Sequence, residues 1–368
     1  MRDARKLYNA VAVLKISYAA DLWFRPRSLH KTDKNQTDTR PRMIMKRLES
    51  IQRNAAISIT GALQTAPGDA TIVHANLTPI GTLLKETSLR GYARLSTRPH
   101  THPITPLITR THKQQPKRHT TALHYLAQTA KFNLNEMEKI PPTRQRPGTA
   151  PAFTTNIVST KEASIEVDKA LFLRGRMVYM DGSGFKGAIG VAVVLYVDGI
   201  KKVHLQYQLG PDTRHTVFEG ELVAIILGLH LNRNIIGLIK SINLSIDNQA
   251  MIKTMHKNWL QPAQYLIDEI KRIMKSIHEE ETRKRTRQNA QDRPKLEINL
   301  TWVAGHMGLK GNEAADELAK EAAEFGSSSD DLLPLFLRRK LSSSLAAAKQ
   351  QIGKFTKRET IIWWKKSK

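Results

Sequence analysis

The chain has 368 residues, more than one average domain requires, and its 58 Lys and Arg outnumber 33 Asp and Glu, a net charge of 58 − 33 = +25. It contains no cysteine, which excludes disulfides, thiol catalysis and zinc knuckles. Lys6, Lys15 and Asp21 interrupt the apolar stretch near the N-terminus and no run approaches a membrane span, so the expectation is a soluble, intracellular protein with no membrane partner, nucleus and cytoplasm being undecided.

In chain order, residues 1–98 show apolar spacing typical of amphipathic helices, broken at Gly61, Pro67 and Pro79. Residues 99–174 accumulate proline, threonine and basic side chains, as in HKQQPKRHT and IPPTRQRPGTAP, and read as a mostly flexible linker with one weak helix from Thr121 to Phe132. A strand from Arg176 to Met180 closes at Asp181, which opens the turn DGSG. A β-branched run from Gly190 to Val197 follows, then the tight-turn pair Asp198 and Gly199, then a strand from Lys202 to Gln208. Leu222, Ile225, Ile226 and Leu229 fall on one helical stripe with Glu221 at its edge. The alternating strand SINLSI ends at Asp247. Helices over Asn248 to Lys257 and from about Gln261 to Arg287 follow, then a strand with Leu296, Ile298, Leu300 and Trp302 alternating. A Gly-His-Met-Gly turn leads to a helix from Asn312 to Phe325, near whose start Asp316 stands among alanines, and Gly326 ends it. Three antiparallel strands, then two more joined through helices, make an α/β mixed five-stranded sheet flanked by helices. Residues 327–368 form a basic tail holding one or two helices, with Trp363 and Trp364 expected to pack against a neighbour or stack on bases.

Asp181, Glu221 and Asp247 each stand where a regular element begins, ends or turns its edge, and strand ends of open α/β sheets face the ligand crevice. Taken singly, each has an ordinary structural role: Asp-Gly is a common hairpin turn and Asp a good helix cap. Glu219, close to Glu221, is the competing acid, but it precedes the apolar stripe. Four carboxylates in one cleft repel one another unless cations neutralise them. All-oxygen ligation favours Mg²⁺ or Mn²⁺, and two such ions roughly 4 Å apart activate water and stabilise a leaving oxygen in phosphodiester hydrolysis.

DGSG, GELVAI, IDNQAM and WVAGHMGLKGNEAADELA together resemble the signature set of type 1 ribonuclease H over about residues 175–326. The resemblance implies a ribonuclease H-like fold and two-metal cleavage of the RNA strand of RNA/DNA hybrids. It places catalysis on Asp181, Glu221, Asp247, His306 and Asp316, with the four acids as metal ligands and Asp181 bridging both ions; Glu221, Asp247 and Asp316 are not divided between them. His306, on a Gly-flanked turn, is expected to shuttle a proton at product departure, imidazole exchanging protons near neutral pH. Hybrid contacts are expected from Gly182, Ser183 and Gln249, whereas Val217 and Phe218 replace the asparagines that many relatives carry before the catalytic Glu.

YNAVAVLKISYAADLWF, KRLESIQRNAAISITGALQTAP and ANLTPIGTLLKETSLRGYARL are similar to the helical connection after the polymerase core of non-LTR, LINE-type reverse transcriptases. That likeness implies the C-terminal portion of a retrotransposon polyprotein, with a reverse transcriptase from the full-length element as a possible partner. Residues 1–150 carry 25 basic and 9 acidic side chains, 25 − 9 = +16, against 20 − 18 = +2 for residues 176–326. Basic flanks strengthen binding to phosphate backbones without sequence preference. Within the domain, Arg283, Lys284, Arg285 and Arg287 are the candidate hybrid grip, with a solvated helix face as the rival reading beside Glu279, Glu280 and Glu281. The alternative to an enzyme is a catalytically silent nucleic-acid-binding remnant; a transposase or integrase fits less well, because such enzymes usually end their acid set in Glu.

Overall fold

The β-branched run around Val191, Val193 and Val194 is buried throughout and forms the middle of a sheet, as a strand packed on both faces must. In the computed structural model two units are distinguished, Ile140–Ala347 and Met1–Lys139 with Ala348–Lys368. The structure describes residues 2–24, 40–113, 121–130, 132–141, 151–173, 176–233, 241–257, 261–287 and 295–367. The basic stretches at 114–120 and 142–150 and the expected domain boundary at 174–175 lie outside them. Among the described residues no helix is long and apolar enough to cross a membrane.

The sheet belongs to the second unit. Its strands are β1 (Thr154–Asn156), β2 (Arg176–Phe185), β3 (Ala188–Val197), β4 (Ile200–Pro211), β5 (Ser241–Ile246) and β6 (Glu297–Trp302), in the order β1-β6-β5-β2-β3-β4. β2, β3 and β4 form an antiparallel meander, while β1, β6, β5 and β2 run parallel. The mixed α/β sheet is as expected, with six strands rather than five among the described residues. The sixth, Thr154–Asn156, is exposed along its length and carries no apolar alternation to announce it; it exists because β6 offers an open edge.

A second difference bears on the site. Asp181 does not close its strand: β2 continues through Gly182, Ser183 and Gly184 to Phe185, each paired with β3, and the reversal falls at Lys186 and Gly187, both at positive φ. The glycines of DGSG are therefore not turn residues. A Cβ on Gly182 would stand 2.5 Å from the Glu221 nitrogen and 2.6 Å from the Gly220 carbonyl carbon, so the missing side chain lets a helix backbone lie on the strand. Asp198 and Gly199 do make the β3–β4 turn, with φ of 49° and 74°.

Strand alternation divides the two faces. Val178 and Met180 of β2 join Leu244 and Ile246 of β5 in the large core beneath the helices Val217–Arg233 and Gln264–Arg287. Met177 and Tyr179 face the other way, against the helices Lys161–Phe172 and Lys310–Phe325. Lys161–Phe172 lies within the stretch read as linker, yet it is tied in: Thr160 Oγ1 caps it at Ala163 N, and Tyr179 donates to the buried Asp168 at 2.8 Å. Ser164 Oγ accepts from Ala304 N at 2.9 Å, anchoring the segment that follows β6. After Gly326, Leu333, Leu337 and Leu341 return to the large core.

The first unit is helical among its described residues. The helix Arg40–Thr60 stops at Gly61, φ 71°, while Pro67 and Pro79 immediately precede the helices Gly68–His74 and Ile80–Ser96, so the three expected breaks occur where placed. Gln52 staples two of these elements, donating to Thr78 O and accepting from Ile80 N, both at 2.8 Å. Helices Thr105–Lys113 and Ala122–Thr129 occupy part of the stretch read as linker. Of the tail tryptophans, Trp363 packs beside Tyr8, Ala56 and Ile59, and Trp364 is exposed.

Candidate active site

Parallel pairing of β2 with β5 aligns Tyr179 with Ser245, so two residues later Asp181, in the middle of β2, stands beside Asp247, just past the end of β5. Residues two apart share a face, and that face is the one covered by the helix Lys310–Phe325, which carries Asp316 in its second turn. Helix Val217–Arg233 packs on the opposite face. Its Glu221 reaches the same cleft because Gly182 and Gly220 let helix and strand touch where side chains would otherwise separate them. Asp181, Glu221, Asp247, Asp316 and His306 line one cleft of about 240 Å³, together with Gly182, Ser183, Gly184, Val217 and Asn312. Six of these, the four acids, His306 and Ser183, are side chains the sequence nominated.

The neighbouring acid Glu219 has a different task. It accepts from Thr216 N at 2.8 Å while its own nitrogen is 3.4 Å from Thr216 Oγ1, a capping box at the start of the helix, with His215 Nδ1 at 3.5 Å. Glu221, two residues later, is 9 % exposed and points into the cleft instead of capping. Asp247 does not cap the next helix either. Asn248 does, its Oδ1 accepting from Ala250 N at 3.0 Å and Met251 N at 3.2 Å.

Burial and mutual repulsion set the electrostatics. Asp181 is pushed up to about 7, first by burial and then by the charges of Asp247 and Asp316. Glu221 is likewise pushed up to about 7 by burial, against the hydrogen bond from Asn248, with Asp247 and Asp181 adding to the rise. Asp247 is raised by burial, an effect opposed by nearby His306. Asp316 has a counter-charge one turn on, Lys320 Nζ at 2.7 Å. Among the described residues that line the cleft, two buried acceptors have no hydrogen-bond partner, Glu221 Oε2 and Asn312 Oδ1.

These donors are all hard oxygens, and a buried, partnerless carboxylate oxygen among raised acids is the environment a divalent cation relieves. Among the described residues, no group of three or more His, Asp or Glu side chains stands close enough to enclose an ion.

The expected nucleic-acid contacts divide. Gly182 and Ser183 form part of the cleft wall. Gln249 opens the helix Gln249–Met255 outside the lining, with Lys253 Nζ 3.5 Å from its Oε1. Arg283, Lys284 and Arg285 lie at the end of Gln264–Arg287, also outside it; Arg283 is 3.8 Å from Glu279 and Lys284 3.1 Å from Glu281. Asn248 and Asn312 are the functional candidates that sequence reasoning missed. Asn312 lies one helical turn before Asp316, a spacing that puts both on one face and was the available signal.

The RNase H family model matches residues 174–324. Two solved structures are similar to the chain. Ribonuclease H1 from the halophilic archaeon Halobacterium salinarum NRC-1 is 20% identical, with 40% of this chain and 96% of that one covered and a TM-score of 0.27. LC11-RNase H1 in complex with an RNA/DNA hybrid is 16% identical, with 40% and 96% covered and a TM-score of 0.29. None of the curated proteins matches. The matched segment, residues 174–324, holds the acids on β2, on the helix after the meander, beyond β5 and on the helix after β6.

Proposed function

We propose that the domain hydrolyses the RNA strand of RNA/DNA hybrids, and the observation that carries this is the gathering of Asp181, Glu221, Asp247 and Asp316 around one cleft. Asp181, level with Asp247 and repelled by two other acids, is the residue best placed to share cations between both sides of the cleft. Mg²⁺ or Mn²⁺, bound as a pair, would supply an activated water and charge stabilisation for the leaving oxygen. The chain's own residues orient and select. The small wall of Gly182, Ser183 and Gly184 admits a nucleic-acid backbone closely, where ribose 2′-hydroxyls distinguish RNA from DNA. His306 sits exposed on a backbone of positive φ beside Asp247, positioned to move a proton as product leaves. Val217 adds an apolar edge to the cleft, so polar grip on the hybrid falls to Gln249 and to the Arg283, Lys284 and Arg285 cluster.

We further propose that the domain is the C-terminal part of a LINE-type retroelement polyprotein, with residues 1–98 as the helical connection, 99–174 joining it to the nuclease at 175–326, and 327–368 as a basic tail. The breaks at Gly61, Pro67 and Pro79 and the motifs in the flanking helices support that reading. A reverse transcriptase from the complete element is then the natural partner.

The test is incubation of purified protein, with Mg²⁺ and separately with Mn²⁺, on labelled RNA/DNA hybrid, RNA duplex and DNA duplex, alongside Asp181→Asn. Cleavage confined to the RNA of the hybrid, and lost in Asp181→Asn, is expected. Hybrid cutting that persists in the variant, or no cutting by the unsubstituted protein with either cation, would overturn the assignment.

A further inference from the structure

Asn248 joins two parts of the molecule 27 residues apart in sequence. Its Oδ1 accepts from Ala250 N and Met251 N, at 3.0 and 3.2 Å, and two backbone donors on one atom leave no choice about which end of the amide is oxygen. The Nδ2 end must therefore point away from the helix Gln249–Met255, and it donates to Glu221 Oε1 at 2.9 Å. Glu221 Oε2, in the same cleft, is buried and has no partner.

We infer that Asn248 is a positioning residue: pinned by the helix start it caps, it holds one oxygen of Glu221 and so leaves the other directed into the cleft. The inference rests on the proposed metal-dependent reading of that cleft. The residue type follows from the geometry. Serine caps a helix start about as well as asparagine but ends at one hydroxyl, too short to hold the cap and reach a carboxylate on another helix. Aspartate caps equally well but would turn an acceptor toward an acceptor. Only an amide offers an acceptor to the helix and a donor to Glu221 at once. Partners of this kind fix a ligand's rotamer before the ligand is used, and removing them typically costs about 10- to 100-fold in metal affinity or activity.

The experiment uses the full chain with Asn248→Ser, Glu221→Gln and the double variant. Mn²⁺ binding without nucleic acid is followed by the electron paramagnetic resonance of free ion, alongside kcat and KM on hybrid and the thermal midpoint. Asn248→Ser is expected to keep the midpoint, since the cap survives, to weaken Mn²⁺ binding and lower kcat by about tenfold or more, and to leave KM for hybrid nearly unchanged. In the Glu221→Gln background the same substitution should have little further effect on Mn²⁺ binding. Unchanged Mn²⁺ affinity and kcat in Asn248→Ser, or an equal loss with and without Glu221, would overturn the inference while leaving the nuclease reading intact. If the unsubstituted protein neither binds Mn²⁺ nor cuts hybrid, the nuclease reading fails and takes this inference with it.

Discussion

Asp181 and Glu221 hold their protons far more tightly in the folded chain than in water, both pushed up to about 7 from ordinary values of 3.8 and 4.5. Between those limits the folded state binds protons that the unfolded state has released. Stability contributed by the two groups is therefore present at acid pH and lost as pH rises through the window, the reverse of a salt-bridged carboxylate. In chelator, the thermal midpoint should fall as pH is raised from about 5 to about 8, and Mn²⁺ should raise it more at the upper pH. Asp181→Asn, with one charge fewer, should show a shallower fall in chelator and a smaller gain from Mn²⁺. Scanning calorimetry over that range reads all three, and a midpoint indifferent to both pH and Mn²⁺ would mean that the acids do not sense one another. The identity of the four acids was legible in the sequence because each sits inside a short run of distinctive neighbours. Their shared environment was not, because burial and repulsion depend on what lies across the cleft. Asn248 shows the same limit: as a residue after Asp247 it reads as an ordinary cap, and its second hydrogen bond appears only when another helix is in place.

At the scale of elements, the critical contact is between β2 and the helix Val217–Arg233. Leu222, Ile225 and Ile226 bind that helix to the sheet, and burial of such side chains contributes roughly 1.5–3 kcal/mol each. How close the helix comes, and so where Glu221 stands, depends on Gly182. Gly182→Ala places a methyl within 2.6 Å of two backbone atoms and should cost about 1–3 kcal/mol or more, with hybrid cleavage falling further than stability alone explains. Gly184→Ala is the comparison from the same wall, because its added carbon meets side-chain methyls alone, Val217 Cγ2 at 3.2 Å and Ile189 Cδ1 at 3.6 Å. Denaturant midpoints and kcat/KM for the pair test this; equal effects would show that the close approach at Gly182 does not position Glu221. Here the sequence misleads in an instructive way. DGSG has the composition of a turn, and local propensity favours one, yet pairing with β3 carries the strand on to Phe185. The helix Lys161–Phe172 was equally hidden. It follows a proline-rich basic stretch and is held by Tyr179, Trp302 and Ala304 from distant parts of the chain.

For the whole molecule, charge is divided unevenly, with +16 over residues 1–150 and +2 over residues 176–326. If the basic flank adds phosphate contacts, its loss should weaken hybrid binding without changing which strand is cut. A chain restricted to residues 140–347 is expected to bind hybrid more weakly than the full chain at low salt and with a shallower dependence of log K on log salt, each lost phosphate contact reducing the slope by about 0.7–0.9. Titration of labelled hybrid from about 50 to 200 mM salt measures it, and identical slopes would assign binding to residues 140–347 alone.

The sequence by itself determined the element order from β2 to the helix ending at Gly326, the helix breaks at Gly61, Pro67 and Pro79, and which acids belong to the cleft. These depend on neighbours within a few residues: apolar period, turn chemistry and the residues flanking each acid. Tertiary structure alone decided the edge strand Thr154–Asn156, the continuation of β2 through its glycines, and the hydrogen bond that directs Glu221. Each of these is made by groups far apart along the chain, and a hydrogen bond or a close backbone approach has no local signature until both partners are folded into reach.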